Sequence, residues 1–325
     1  MNSPQITFLA ALIMPLFVAA QTTIAKRLEP IIDMHMHARN GPVRSSDGKL
    51  VPALSYAGAP ERPPPVYTEP GSILRGTLEK MDRHNIVLGH LSDLGELVFR
   101  WAEAAPKRFF VSACIGIPAR QDLIEPRDIE KLREEIRAGK YRGIGEVMAQ
   151  YRGIAPNDPK LAPYFALAEE LDVPVLLHMG GLGGRTSGFR SAPGRPTLLE
   201  DVLVKHPKLR IYIENASYPY LDEIVTMMSQ YPNVYADLST ITWLVPRTAF
   251  HRYLRALVEY GLGDRLMFGS DQMNWPEAID WAVEGIASAD FLTPQQKRDI
   301  FYNNAARFLR LSEAEIARHH GRGAE

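Results

Sequence analysis

Short apolar runs alternate with amphipathic helical patterns along most of the chain after residue 71. The predicted strands are residues 30–37, 86–91, 109–115, 141–147, 174–178, 209–213, 234–238 and 266–270. Helical patterns such as residues 129–138, 161–171 and 253–260 lie between them, with apolar residues three and four positions apart. This alternation is typical of repeated strand-helix units with a parallel sheet, and eight strands predict a single-domain (β/α)8 barrel of the TIM type. A doubly wound sheet is the alternative, but it would not explain polar residues at the ends of so many strands.

Four polar residues lie at the ends of predicted strands. His35 and His37 are two positions apart on the first strand, so their side chains share one face and can reach a single ion. His178 and Asp271 follow two later apolar runs. Two ordinary polar histidines would explain the first pair alone, but barrel enzymes carry their chemistry at these strand ends. We therefore predict that the four residues hold one divalent metal ion.

The carboxylates at the strand ends indicate water activation. An ion lowers the pKa of water from ~15.7 toward ~7, and a neighbouring carboxylate can then accept the proton. We predict that Asp271 is both a metal ligand and the catalytic base. Glu146 ends the fourth strand and is a candidate bridge to a second ion. A glutamate that merely starts a helix is the alternative for Glu146.

Two further motifs connect these residues with a known family. They are the segment RLMFGSDQMNWP at residues 265–276 and the segment NNAARFL at residues 303–309. From the first strand to about Leu311, the chain resembles the amidohydrolase-related (amidohydrolase 2) branch of the metal-dependent amidohydrolase superfamily. The resemblance implies a (β/α)8 barrel and a divalent ion, usually zinc. It also implies metal ligands at His35, His37, His178 and Asp271, with Glu146 at the bridging position.

The sixth strand departs from the family pattern. Such proteins usually carry a histidine at its end, whereas this segment reads IYIENAS and aligns Asn215 with that position. An amide is a poor zinc ligand compared with imidazole. Strand alternation would turn the adjacent Glu214 to the other face unless a bulge intervenes. We therefore predict about one tightly bound ion per chain, with a second uncertain.

Two loops are candidates for contact with substrate. The segment from residue 38 to residue 70 is rich in Pro, Gly and Arg, and is either a long active-site loop or disordered. The glycine-rich segment after His178 carries Arg185 and Arg190, which can bring a guanidinium to a substrate carboxylate or simply face solvent. The other candidate substrate residues are Asn215, Trp243 and Trp275.

The N-terminus indicates export. Residues 6–20 form an apolar run broken by Pro15, which is shorter than the roughly 20 residues of a membrane-spanning helix, and small residues follow it. We predict a signal peptide over residues 1–25, a barrel domain over residues 26–325, a periplasmic or secreted location, and no stable membrane span after cleavage. No Lys or Arg precedes the apolar run, so an uncleaved anchor is the alternative, and a chain without a signal would be cytoplasmic. The single cysteine, Cys114, excludes an intramolecular disulfide.

The net charge of the chain limits the kinds of partner that it can bind. The chain has 37 basic and 38 acidic residues and a net charge of -1, so it has no general attraction for nucleic acid or an anionic membrane. We expect a small-molecule substrate, and homo-oligomerisation stays open. The predicted function is a metal-dependent hydrolase of an amide, ester or lactone. The alternatives are a non-oxidative decarboxylase of an aromatic or unsaturated acid and a non-catalytic metal or ligand binder, although a pure binding site would not need the base Asp271.

Overall fold

A computed structural model describes residues 28–41, 67–93, 95–116, 128–183 and 188–321. Eight parallel strands form one sheet in chain order, each paired with the next. The strands are β1 (Ile31–Met36), β2 (Ile86–Asp93), β3 (Phe109–Ile115), β4 (Ile144–Val147), β5 (Val175–Leu177), β6 (Ile211–Ile213), β7 (Val234–Asp237) and β8 (Leu266–Met267). The barrel closes because Met34 N–H donates to Phe268 O (2.9 Å) and Asp271 N–H donates to His35 O (2.8 Å). The predicted (β/α)8 barrel is confirmed.

Helices follow the strands and cover the outside of the sheet. They are α1 (Ser72–Arg83), α2 (Leu97–Ala104), α3 (Ile129–Arg137), α4 (Ala162–Glu170), α5 (Glu200–Lys205), α6 (Leu221–Gln230), α7 (Ile241–Leu244), α8 (Arg247–Glu259), α9 (Glu277–Ala287), α10 (Pro294–Arg298), α11 (Asn304–Phe308) and α12 (Glu313–His319). The segment predicted as a helix over residues 253–260 is the second half of the longer α8.

Several strands are shorter than their apolar runs. β8 is the clearest case, because Phe268 N–H donates to Ile300 O (2.8 Å) in the π-helical segment Asp299–Asn303 and so leaves the ladder with β7. The chain then reaches Asp271 with a left-handed φ of 47°, which is uncommon for a residue other than glycine. Asp271 therefore projects from irregular backbone just beyond the strand.

The sheet is buried on both faces, as expected for parallel strands covered by helices. The larger apolar core lies between the sheet and the helices, and a smaller one fills the barrel with Met34, Phe110, Leu176 and Tyr212 among its members. His90 contacts Ser112 Oγ (2.5 Å) and the Tyr212 hydroxyl inside the barrel. Burial lowers the pKa of His90 to about 3, so this imidazole is neutral. The barrel mouth therefore has a packed, uncharged floor.

Parts of the chain named by the sequence predictions lie outside the described residues. These parts are the predicted signal peptide and most of the long loop after β1, residues 42–66. Within the described ranges, no helix combines the length and apolar character needed to cross a membrane.

Candidate metal centre

A cavity of about 230 Å³ opens at the carboxyl ends of the strands. Its polar lining consists of His35, His37, Arg39, Glu146, Tyr151, His178, Glu214, Asn215, Thr240 and Asp271. Its apolar lining consists of Met148, Leu182, Leu244 and Met273. The five residues predicted as metal ligands thus surround one cavity, since the carboxyl ends of parallel strands meet there.

The first group of ligand atoms joins β1 to the segment after β8. His35 Nε2 lies 3.2 Å from His37 Nε2. Asp271 Oδ1 lies 3.2 Å from His37 Nε2 and 3.8 Å from His35 Nε2. Zinc ligands lie about 2.0–2.2 Å from the ion, so two atoms that share an ion are at most about 4.4 Å apart. The spacing of these three atoms fits a shared ion.

The second group contains a residue whose side chain was predicted from the sequence to point away from the site. His178 Nδ1 lies 2.7 Å from Glu214 Oε2 and 3.1 Å from Glu146 Oε1, and the three residues offer atoms within 4.8 Å of one another. The prediction that Glu214 faces away from the site is therefore wrong. Tyr212 points into the barrel, and strand alternation places Glu214, two residues later, on that same face.

The chain turns sharply directly after Glu214. Asn215, Ala216 and Ser217 all have positive φ, at 56°, 43° and 53°. Three consecutive left-handed residues other than glycine are costly, and such strain clusters at functional sites. Asn215 lines the cavity, and its Oδ1 lies 3.2 Å from Ser239 Oγ. Asn215 therefore contacts the segment after β7, and the carboxylate of Glu214 occupies the inward position.

Outer contacts orient two of the imidazoles. Asp237 Oδ1 accepts a hydrogen bond from Ser239 Oγ (2.5 Å), so the proton between Ser239 Oγ and His35 Nδ1 (3.0 Å) belongs to the imidazole. His178 Nε2 donates to Leu182 O (2.9 Å). In both residues the outer nitrogen carries a proton, so the inner nitrogen has a lone pair for an ion once the imidazole is neutral. This arrangement is typical of metal-bound histidines.

His37 is held mainly through its backbone. Gln272 Oε1 accepts from His37 N–H (3.0 Å), and Gln272 Nε2 donates to His37 O (2.7 Å). His37 Nδ1 lies 3.8 Å from Asp93 Oδ2. Gln272, in the motif after β8, thus fixes the end of β1.

The buried charges of the site shift several pKa values. Burial alone would lower the pKa of His178, but the carboxylates of Glu214 and Glu146 outweigh it and raise the pKa to about 10. Burial and the nearby charge of Glu146 raise the pKa of Glu214 to about 7. Asp271 moves the other way, since His35, His37 and Thr240 outweigh burial and lower its pKa. Asp271 is therefore ionised at neutral pH.

Two buried oxygens indicate what the site is built to hold. Among the described residues, neither Asp271 Oδ1 nor Glu214 Oε1 has a hydrogen-bond donor, although both are buried. Each lies within 4 Å of His35 Nε2. Buried polar atoms normally have a partner, and a divalent cation between carboxylate oxygens and imidazole nitrogens would supply it. The residues present therefore fit a divalent metal ion.

The predicted substrate residues have different positions. Arg185 lies outside the described residues. Arg190 is exposed, and its guanidinium donates to Phe189 O (2.8 Å). Of the described arginines and lysines, the cavity lining includes only Arg39, two residues after His37. Arg190 therefore faces solvent, the alternative left open by the sequence.

The two tryptophans pack outside the cavity. Trp243 Nε1 donates to Ser270 O (2.8 Å), and the ring packs against Trp275 (6.4 Å between centroids) and Trp281 (5.9 Å). Neither Trp243 nor Trp275 is among the described residues that line the cavity. The Trp243 indole N–H is bonded to the backbone behind the site, so these rings pack against the segment that carries Asp271. They do not line the pocket.

Two comparisons of sequence match this chain to known proteins. A family model described as amidohydrolase matches residues 32–311. Protein fluG from Emericella nidulans is 27% identical over 155 residues, which cover 43% of this chain and 18% of that protein, so the chain spans less than a fifth of its length.

Two solved structures have the same architecture. An uncharacterised TIM-barrel protein from Bordetella bronchiseptica has a TM-score of 0.59 at 18% identity, covering 86% of this chain and 98% of the other. A probable 2-pyrone-4,6-dicarboxylic acid hydrolase from Acinetobacter baumannii has a TM-score of 0.58 at 15% identity, covering 86% and 99%. Since the family model matches almost the whole barrel, from β1 to just beyond α11, the chain belongs to the amidohydrolase family.

Proposed function

We propose that this protein is a metal-dependent hydrolase that cleaves an amide, ester or lactone bond of a small molecule. The observation that carries the proposal is the arrangement of Asp271. Its Oδ2 accepts a hydrogen bond from the Thr240 hydroxyl, and its Oδ1 lies beside His35 and His37 without a donor among the described residues. A fixed, ionised carboxylate with one open oxygen is suited to accept the proton of an attacking water.

The histidines and carboxylates of the cavity would hold the ion. A divalent ion bound there supplies Lewis acidity, which lowers the pKa of water and polarises a carbonyl. Imidazole nitrogens and carboxylate oxygens are ligands that zinc accepts readily, so zinc is the ion we favour. Asp271 takes the proton, while the hydrogen bond from Thr240 to its Oδ2 keeps the carboxylate from rotating.

The rest of the lining describes the substrate class. A cavity of about 230 Å³ with methionine and leucine side chains suits a small, partly apolar molecule. Asn215 also lines the cavity, and its side-chain amide can donate a hydrogen bond to a substrate carbonyl. Arg39 is in the cavity lining, where its guanidinium is paired with Asp93 (3.2 Å). A cation at this position favours substrates that also carry a carboxylate. The solved hydrolase named for a pyrone dicarboxylate is consistent with such a substrate.

A substrate screen tests the proposal. Metal-loaded protein is assayed against lactones, esters, amides and aromatic acids, with proton release to report hydrolysis and carbon dioxide release to report decarboxylation. We expect hydrolysis by the wild type and its loss in Asp271→Asn. Carbon dioxide release without hydrolysis would favour the decarboxylase alternative, and metal binding without turnover of any class would favour the non-catalytic binder.

We further propose that the protein is exported, on the basis of the apolar run at residues 6–20. Because residues 1–27 lie outside the described residues, this proposal rests on the sequence alone. N-terminal sequencing of protein expressed in a host with a secretion pathway should find a chain that begins near Gln21 or Lys26. Soluble enzyme that retains Met1 would contradict the signal peptide.

A further inference from the structure

We propose that the cavity holds two divalent ions, and that Glu146 and Glu214 each coordinate both of them. In this arrangement Glu214 takes the place of the histidine that family members usually carry at the end of the sixth strand. The proposal deepens the proposed function and rests on it for the presence of a metal ion at His35 and His37.

The two carboxylates each span the two groups of ligand atoms. Glu146 directs Oε2 toward His37 Nε2 (3.6 Å) and Oε1 toward His178 Nδ1 (3.1 Å). Glu214 directs Oε1 toward His35 Nε2 (3.6 Å) and Oε2 toward His178 Nδ1 (2.7 Å). Every one of these separations is below the limit of about 4.4 Å for two atoms that share an ion. Each carboxylate can therefore give one oxygen to each ion.

The ligand counts suit two ions. The first ion has His35, His37 and Asp271, with one oxygen from each bridging glutamate. The second has His178 and the other two glutamate oxygens, which are three protein ligands. Three protein ligands with a position left for water or substrate is the usual arrangement of a catalytic zinc. The argument for a single ion required Asn215 as the third ligand, and Glu214 removes that requirement.

The charge balance is also compatible with two ions. Four buried carboxylates have an oxygen within 4 Å of a nitrogen of these imidazoles: Glu146, Glu214, Asp237 and Asp271. When metal binding has displaced the protons of the imidazoles and of Glu214, these carboxylates carry four negative charges, which two divalent ions neutralise. The buried site therefore contains no uncompensated charge when both ions are bound.

Metal stoichiometry tests the proposal directly. Full-length protein is stripped with a chelator, reloaded with Zn²⁺, desalted and analysed for zinc per chain. We expect two zinc ions in the wild type and one in Glu214→Gln, which keeps the shape of the side chain but is a much weaker ligand. The matched control is Glu200→Gln, an exposed glutamate on α5, which should keep two. One zinc ion in the wild type, or two in Glu214→Gln, would overturn the proposal.

A spectroscopic measurement on the wild type does not depend on whether the variant folds. Ions that share two carboxylates interact magnetically, so protein reloaded with Mn²⁺ should give an exchange-coupled electron paramagnetic resonance spectrum. An isolated six-line Mn²⁺ spectrum at saturation would contradict a shared site. If the wild type hydrolyses substrate with one bound ion, the two-ion proposal is wrong and the proposed function stands. If it binds two coupled ions but hydrolyses nothing, the two-ion proposal stands and the proposed function is wrong.

Discussion

Asp237 should control metal affinity although it lies outside the ligand set. Its Oδ1 accepts hydrogen bonds from Ser239 Oγ (2.5 Å), Ser239 N–H (3.1 Å) and Asn215 N–H (2.9 Å). Its Oδ2 lies 3.3 Å from His35 Nδ1. In Asp237→Asn, the side-chain oxygen must stay where Oδ1 was, because three hydrogen-bond donors point at that position. The new amide nitrogen then takes the place of Oδ2 and faces His35 Nδ1. Two donors would then meet, and the imidazole would have to move its proton to Nε2.

The expected loss follows from that tautomer. A proton on His35 Nε2 blocks the nitrogen that faces His37 and Asp271. Loss of an outer partner of a metal-bound histidine typically costs 10–100-fold in metal affinity, or about 1.4–2.7 kcal/mol. We expect Asp237→Asn to fall in that range. Ser239→Ala should lose less, because Asp237 Oδ2 remains near His35 Nδ1 to accept its proton.

Competition with a chromophoric chelator at fixed pH measures the zinc affinity of each variant. Circular dichroism and thermal unfolding of the metal-free proteins establish that the barrel is intact. The matched control is Asp290→Asn, an exposed aspartate after α9, which should bind zinc like the wild type. Wild-type affinity in a folded Asp237→Asn protein would refute the role of Asp237 in setting the tautomer of His35.

Three further predictions concern catalysis, pH and the core. Asp271→Asn should lower turnover by at least about 10²-fold, because an amide cannot accept a proton, while circular dichroism stays unchanged; near wild-type turnover would remove Asp271 from the base role. In metal-free protein, the pKa of His178 is raised from 6.5 to about 10, so its stabilising contribution is complete below pH 6.5 and is lost as the pH rises toward 10. Thermal unfolding after chelator treatment should therefore show falling stability across that window, and zinc affinity should rise with pH because the ion displaces the proton. Phe268→Ala, in the fully buried core, should lower the free energy of unfolding by about 3–5 kcal/mol in a denaturant titration. Val204→Ala, on the exposed face of α5, should change it by less than about 0.5 kcal/mol. Equal effects of the two substitutions would contradict the assignment of the core.

The architecture could be predicted from the sequence because it depends on local periodicity. Apolar runs and helical patterns alternate in the order that a parallel barrel requires, and all eight predicted strands are present. The same regularity explains why His35, His37, His178 and Asp271 were found. Each follows an apolar run, and the carboxyl ends of parallel strands converge at one mouth.

Side-chain direction at the mouth was decided by the tertiary structure. β6 is an apolar strand buried on both faces, so its sequence shows no alternation from which the inward side of Glu214 or Asn215 could be inferred. The hydrogen bond that Asn215 N–H donates to Asp237 at the end of β7, together with three left-handed residues, fixes that side. Trp243 likewise lies behind the site, because its indole N–H donates a hydrogen bond to the carbonyl of Ser270. These contacts join residues far apart in the chain, so the sequence determined which strands carry the ligands, and the packing of neighbouring strands determined which side chains enter the site.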